Sequence, residues 1–433
     1  MIESPPPVKM YDEKSIDLYT KLRASGELKE INDEYLYWDK VKYKAKTATP
    51  QEYWSAIKLS RSFNSQTISF GSNLFQFVQT DFVQRLLHYF DLHIGGNLGS
   101  NVGIAETDKT KFMISSIMEE AISSSQMEGA NTTRKKAKEM IQKELKPKNK
   151  SEQMIMNNFV TMKHVVQHKT EDLTPEKLLY IHNLISYNTL ENKDEEGVFR
   201  QNNDIYVVNY TNSEIVHTPP NHLEIKTLIN DLCDFFNNEQ KAFIHPIIKG
   251  IIIHFMIGWI HPFTDGNGRT ARTLFYWYML KNGYWLTEYL TISTIIKDTK
   301  IQYEKAFLYT ESDQNDMTYF ITYHLKTMEN AFIGLKDYIG RKQKEVILAA
   351  KFIKIPNVNE RQAQILKTVS EDADRVLSSK EIENRFNISS FTARADLNNL
   401  EQLGFLEKIQ VNKIKHNFIK AKIFNKLLKS HNL

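Results

Sequence analysis

Only one cysteine, Cys233, stands among 433 residues. A single thiol excludes an intrachain disulfide framework and a cysteine-ligated metal cluster. Cys233 follows Leu232 in a helix-like run and reads as a small core residue. Proline is scarce, at 11 residues, and strand-like alternation is rare, so the fold is expected to be mainly α. No apolar run reaches the ~20 residues that cross a bilayer. The first seven residues, Met-Ile-Glu-Ser-Pro-Pro-Pro, lack the basic and apolar regions of a secretory signal. These absences point to a cytoplasmic chain with no membrane partner. The glycine-rich stretch from Gly95 to Gly99 has no P-loop lysine and no clear strand before it, so it reads as a turn. What remains is ordinary for a globular protein, with 25% charged and 41% hydrophobic residues. The length allows two or three domains.

Against this background one segment is dense in chemistry: His261-Pro-Phe-Thr-Asp265-Gly-Asn-Gly-Arg269-Thr-Ala-Arg272. Helical apolar spacing follows it at Ala271, Leu274, Phe275 and Tyr278. Gly266 and Gly268 can take positive φ, so that with Asn267 their backbone N–H groups form an anion-binding nest at a helix N-terminus. Arg269 and Arg272 share one face of the first turn, and their planar forks suit phosphate. Asp265 is a hard ligand for a Mg²⁺ ion bridging phosphates. His261 is the residue to take a proton from an attacking hydroxyl. Preceding it, His245 to Ile260 is apolar nearly all round, with Pro246 in the first turn. This run reads as a buried central helix, with His245 and His254 as capping or core residues.

The segment resembles the signature of the Fic family, His-x-Phe-x-(Asp/Glu)-Gly-Asn-Gly-Arg-x-x-Arg, at every defined position. The resemblance implies AMP transfer from ATP to a Ser, Thr or Tyr hydroxyl of a protein target or of the chain itself, with release of pyrophosphate. It implies His261 as general base and Asp265 as Mg²⁺ ligand. Gly266, Asn267 and Gly268 would cradle the α- and β-phosphates, Arg269 would bind the β-phosphate and Arg272 the γ-phosphate. Gly268 is lacking in the related phosphotransferase Doc, and its presence favours nucleotidyl transfer. Tyr303 falls where related chains have an aromatic pair near the adenosine pocket.

Two further segments fit the resemblance. Ser124-Ser-Gln-Met-Glu128-Gly129 ends a helical pattern at about 117–129 and is similar to the family's inhibitory helix. There Glu128 would pair with Arg272 and occupy the γ-phosphate position. Runs from Asp204 and Ile215 around a polar turn at 209–214 read as a hairpin over about 204–220. In Fic proteins such a flap holds the target by strand addition, which places Val216, His217, Thr218 and Pro219 beside the acceptor.

From Arg341 onward 18 Lys/Arg face 10 Asp/Glu, a balance of +8. Three helices, from Glu360, from Ser378 and from Ser390 to Gly404, and two short β runs resemble a winged helix-turn-helix. DNA binding would put Ser390, Thr392, Arg394 and Asn398 in a major groove, with Lys408, Lys413 and Lys415 on phosphates. The opposing reading is a protein-docking or dimerisation module, because Asp396 and Glu401 offset Arg394. The expected architecture is an N-terminal helical extension (1–110), a Fic domain (111–340) and a winged helix domain (341–433). The alternatives to adenylyl transfer are removal of AMP from the same target, and a nucleotide-sensing transcription regulator. A homodimer stays open.

Overall fold

The apolar run after His245 folds as a helix because nothing in it breaks one, and it is buried because it has no polar face. His245 caps it, accepting from Ile247 N–H, and Pro246 occupies the first turn, where a missing N–H costs nothing. The computed structural model describes residues 2–46, 48–95, 106–208, 214–372, 375–386, 388–410 and 416–430. Part of the flap turn, the loop after Gly95, and Lys413 and Lys415 lie outside them. The chain divides into two compact units, Met1–Leu335 and Lys336–Leu433.

In the first unit, α1 (Glu13–Ser25), α2 (Glu27–Glu34), α3 (Trp38–Val41), α4 (Pro50–Ser62) and α5 (Asp81–His93) surround a hairpin. Thr49 and Glu52 form a capping box at the start of α4. The aromatic residues Tyr35, Tyr37, Trp38, Tyr53 and Trp54 make a local core. Arg61 lies over the Tyr35 ring at 3.9 Å, and Lys58 pairs with Asp313 at 2.9 Å in the interior. The mainly helical extension also contains a two-stranded sheet. Gly71 and Ser72 form the turn between β1 (Ser65–Phe70) and β2 (Asn73–Val78), with Phe70 opposite Asn73. Gly71 takes φ +56° there, a conformation suited to a two-residue hairpin. Phe75 and Phe77 alternate inward, and the Phe75 ring meets Trp259 edge-on at 5.0 Å.

The helices α6 (Glu106–Met127), α7 (Arg134–Gln142), α8 (Lys150–Gln167), α9 (Pro175–Ser186) and α10 (Ile225–Asn237) lead to α11 (Pro246–Ile260) and α12 (Asn267–Lys281). Then come α13 (Ile292–Asp298), α14 (Lys300–Ser312) and α15 (Thr318–Ile353). Gly250 lets α12 approach α11: a Cβ there would sit 3.2 Å from Met279 Sδ. Cys233 is buried on α10, as its sequence context suggests. Between α9 and α10 lies the flap, β3 (Val207–Val208) antiparallel to β4 (Ile215–His217).

In the second unit, α16 (Glu360–Glu371), α17 (Ser379–Phe386) and α18 (Ser390–Gln402) pack on a sheet ordered β5 (Leu377–Ser378), β7 (His416–Lys420), β6 (Leu406–Gln410). Ser378 Oγ accepts from Glu381 N–H at 3.2 Å, and Gly404 ends the third helix at φ +81°. A short α19 (Phe424–Ser430) follows. Asp396 does not offset Arg394. It is buried and accepts from Arg361 Nε at 2.8 Å and from Gln362 and Asn359 at 3.1 Å. Its carboxylate tethers α18 to α16, which leaves Phe391, Arg394 and Ala395 on the exposed face of α18.

Among the described residues no helix is long and apolar enough to cross a membrane.

Candidate active site

α11 is capped at its C-terminus by His261, which takes the left-handed conformation at φ +49°. His261 Nδ1 faces the Gly258 carbonyl at 3.2 Å. A carbonyl only accepts, so the proton sits on Nδ1 and the Nε2 lone pair is left to act as a base. Burial pulls the His261 pKa down to about 4, with the Gly258 carbonyl and Glu128 opposing and His217 and Arg200 assisting. The ring is therefore neutral at physiological pH.

The loop after His261 is held by its own side chains and by distant ones. Asn267 clamps Phe263, accepting from its N–H at 3.0 Å and donating to its carbonyl at 2.8 Å. The Asn267 amide is thus spent on the loop, and what it offers an anion is its backbone N–H. Gly266 takes φ +84° as the N-cap of α12, with no side-chain cap. The first-turn N–H groups are therefore the free donors of a helix N-terminus. The helix begins at Asn267, inside the glycine-flanked turn and ahead of the run from Arg269, and Gly268 needs no positive φ. Its lack of a side chain serves proximity instead. A Cβ at Gly268 would overlap Glu128 Oε1 and lie 3.2 Å from Arg272 Nη1.

Arg269 is fully buried and donates to the Ile185 carbonyl at 3.1 Å. Its Nε and Nη2 find no hydrogen-bond partner among the described residues, and the nearest carboxylate oxygen, Asp265 Oδ1, is 3.6 Å away. Unpaired donors on a buried cation are costly unless an anion meets them. Asp265 itself is half exposed, at 48% of its side chain. Among the described residues no group of three His, Cys, Asp or Glu side chains could hold a metal ion. One carboxylate beside a phosphate seat fits an ion that arrives on its substrate, the usual Mg²⁺ arrangement, and does not fit a resident metal.

Arg272 is the most constrained cation of the site. Its Nε donates to Ser124 Oγ at 2.8 Å, and its Nη2 donates to the Ser124 carbonyl at 3.1 Å and to Glu128 Oε1 at 2.7 Å. Burial works against its charge, but Glu128, Tyr303 and Glu120 hold its pKa above the usual arginine value. α6 ends at Met127, and Gly129 turns the chain at φ +93° while Ala130 N–H reaches back to the Ser125 carbonyl at 3.0 Å. That turn aims Glu128 at Arg272. Ser123 and Ser125 fasten the same helix end to Thr294 at 2.9 Å and to the Met154 carbonyl at 3.3 Å.

A cavity of about 480 Å³ joins these groups, except Arg269, which is not among the residues of its wall. Its walls include Glu128, His261, Asp265, Gly268, Arg272, Tyr303, and Val207 and Val216 of the flap. Thr218 is exposed beyond it and Pro219 partly buried. His217 faces inward, bridging the Trp259 carbonyl and Glu311, each at 2.8 Å, so it pins β4 to the ends of α11 and α14.

Two residues that matter here went unread in the sequence. His182 stacks on Phe263 with centroids 3.6 Å apart. It accepts from Gly197 N–H at 3.1 Å, which leaves its Nε2–H to donate to the Asp265 carbonyl at 2.9 Å. Arg200 Nε donates to the His261 carbonyl at 2.9 Å, and its Nη2 donates to the Pro220 carbonyl. Arg200 thereby ties the catalytic loop to the foot of the flap. The one trace it leaves in the sequence is the Gly197-Val-Phe-Arg200 run ahead of the hairpin.

Comparison with known proteins agrees with this geometry. Residues 172–279 match the Fic/DOC family, and residues 361–410 match a DeoR-like helix-turn-helix domain. The chain is 34% identical over 90 residues to "Protein adenylyltransferase Fic" of Drosophila willistoni, covering 21% of this chain and 16% of that protein. It is 39% identical over 67 residues to "Protein adenylyltransferase fic-1" of Caenorhabditis elegans, covering 16% of this chain and 13% of that one. The matches thus span less than a fifth of these relatives. A crystal structure of a Fic family protein from Desulfovibrio desulfuricans superposes with a TM-score of 0.50 at 19% identity, over 78% of this chain and 94% of that one. A fragment of Fic-1 from C. elegans superposes with a TM-score of 0.50 at 17% identity, over 76% and 88%. The chain is mainly α and carries a segment similar to the Fic/DOC family and a second segment similar to a DeoR-like helix-turn-helix domain.

Proposed function

We propose that the first unit is a protein adenylyltransferase held back by Glu128. The observation that carries this reading is the shared cavity, where a neutral imidazole, an uncapped helix N-terminus and the buried Arg272 converge. His261 Nε2 takes the proton of a target Ser, Thr or Tyr hydroxyl. The freed oxygen attacks the α-phosphorus of ATP, the bond to the β-phosphate oxygen breaks, and pyrophosphate leaves. The first-turn N–H groups of α12 and Arg272 face the charge that develops on the phosphates, and the buried cation Arg269 adds its charge in the same first turn of α12. Asp265 would hold the Mg²⁺ ion that accompanies ATP and screens its phosphates. The flap edge presents backbone groups to an extended target segment.

Position-specific labelling tests the assignment. Label from α-³²P-ATP is expected on protein, and label from γ-³²P-ATP is not; the reverse result would make the chain a phosphotransferase. A second reading, removal of AMP from the same target, rests on Glu128 itself. Its side chain is 27% exposed on the wall that also bears His261, so it could orient a water.

The second unit supports a separate proposal, binding of duplex DNA. With Asp396 buried, the outer face of α18 carries Arg394 without that carboxylate beside it, and the domain match is to a helix-turn-helix. Thr392 is partly committed, its hydroxyl 2.9 Å from Ser389 Oγ, which leaves Arg394 and Asn398 as the base-reading candidates. Affinity for a duplex should fall steeply between ~50 and ~200 mM salt. No binding at the lower salt would assign this unit to protein docking.

A further inference from the structure

Behind the Arg272 side of the cavity runs a file of buried polar groups that the proposed chemistry does not use. His254 on α11 and His324 on α15 are both fully buried. His254 Nδ1 lies 2.9 Å from His324 Nε2, and His254 Nε2 lies 2.9 Å from Tyr303 Oη. Tyr303 brings the file to the cavity wall, which it shares with Arg272 and Glu128. The Arg272 and Glu128 charges both act on its hydroxyl. Burial keeps the two imidazoles neutral, so each ring has one N–H and one lone pair.

Only two orders of protons are then available. In one, Tyr303 donates to His254, His254 donates to His324, and a His324 Nδ1–H ends in the core. In the other, His324 Nε2–H donates to His254 Nδ1, and His254 Nε2–H donates to Tyr303 Oη. His324 Nδ1 has no partner among the described residues. The first order therefore strands a donor, the second only a lone pair, and stranded donors are the rarer defect of protein interiors. The second order also leaves the Tyr303 proton pointing away from the core, toward the cavity.

We infer that Tyr303 is a positioning residue whose hydroxyl proton, ordered by His254 and His324, is donated to the anionic oxygen that replaces the Glu128 carboxylate on Arg272. Under the proposed function, on which this rests, that oxygen belongs to the terminal phosphates of ATP. Tyr303 then serves the phosphate end of the nucleotide and not its base. The two histidines act through it without touching the ligand.

The test is equilibrium binding, read by calorimetry on the full chain carrying Glu128→Gly, with Mg·ATP, inorganic tripolyphosphate and adenosine as probes. Tyr303→Phe is expected to weaken tripolyphosphate and ATP about tenfold, the loss of one hydrogen bond to a charged group, and to leave adenosine unchanged. His254→Leu should reproduce that loss from inside the core. His254→Gln, whose amide keeps a donor where the ring Nε2–H stands, should retain most of the affinity. The double variant Tyr303→Phe/His254→Leu should lose no more than either single one. Full tripolyphosphate affinity in Tyr303→Phe, no tripolyphosphate binding by the parent, losses that multiply, or weakened adenosine binding would each overturn the inference. If His254→Leu does not fold, Tyr303→Phe and His254→Gln still decide it. Intact tripolyphosphate binding without label transfer would count against the adenylyltransferase reading and leave the relay standing.

Discussion

Glu128→Gly is expected to raise incorporation of label from α-³²P-ATP by about 100-fold over the native chain, measured as initial rates at equal protein. Two effects combine. The carboxylate holds Arg272 Nη2 at 2.7 Å, and a charge-assisted bond of this kind contributes roughly 1.5–3 kcal/mol. A triphosphate that enters beside Glu128 is also displaced, and a ~1 Å error in the reacting geometry costs on the order of 100-fold. Arg272 keeps both Ser124 bonds when Glu128 is gone, so the guanidinium stays where an incoming phosphate would meet it. Equal rates in the variant and the native chain would remove Glu128 from any inhibitory role. If removal of AMP is the native reaction, the variant will also fail to release label from a target modified beforehand, a result that a simple brake does not produce.

The second large effect concerns His261. In the Glu128→Gly chain, His261→Ala should reduce transfer by ~10³-fold or more while leaving Mg·ATP binding nearly intact, because general-base removal costs 10²–10⁴ in rate. A pure nucleotide sensor would show no transfer in the parent to begin with. The pH profile carries a separate signature. A base loses activity as pH falls through its pKa, and burial has brought that of His261 from 6.5 down to about 4. With Glu128 removed, one of the influences that raise it is gone, so the limb moves no higher. kcat/KM should therefore stay level from pH ~8 to pH ~5 and fall only below that. An acid limb near pH ~6.5 would mean that the ring titrates as it does in water and is not the buried group described above.

What could be read ahead of the structure was whatever lay contiguous in the chain. His261 to Arg272 carries its chemistry in twelve consecutive positions, and the winged helix shows its helix caps and its glycine stop in order. The pairing of Ser124 and Glu128 with Arg272 spans nearly 150 residues, and it was legible only because both partners sit in recognisable segments. His182 and Arg200 brace the same loop from 83 and 61 residues away; a histidine in an ordinary amphipathic helix looks like any other, and only the Gly197-Val-Phe-Arg200 run hints at the arginine. The β1–β2 hairpin was locally legible: Gly71-Ser72 between two β-rich runs is a hairpin signal, masked by the helical segments on both sides. Asp396 shows the opposite limit. Its position suggests a surface charge on α18, and only packing against α16 reveals it as an interior acceptor.

Gly268 couples two properties that would otherwise vary independently. The space left by its missing side chain is used by the Glu128 carboxylate in the resting chain, and it borders Arg272 Nη1, where a phosphate would sit. Under the proposed function, a methyl group at that point would displace the Glu128 carboxylate and obstruct the nucleotide in one stroke. If Glu128 is a brake, the position therefore offers no mutational route to a permanently active protein, although it touches Glu128 directly. The far partner, the end of α6, offers such a route under that proposal, because this helix terminus can change without altering the loop that carries His261.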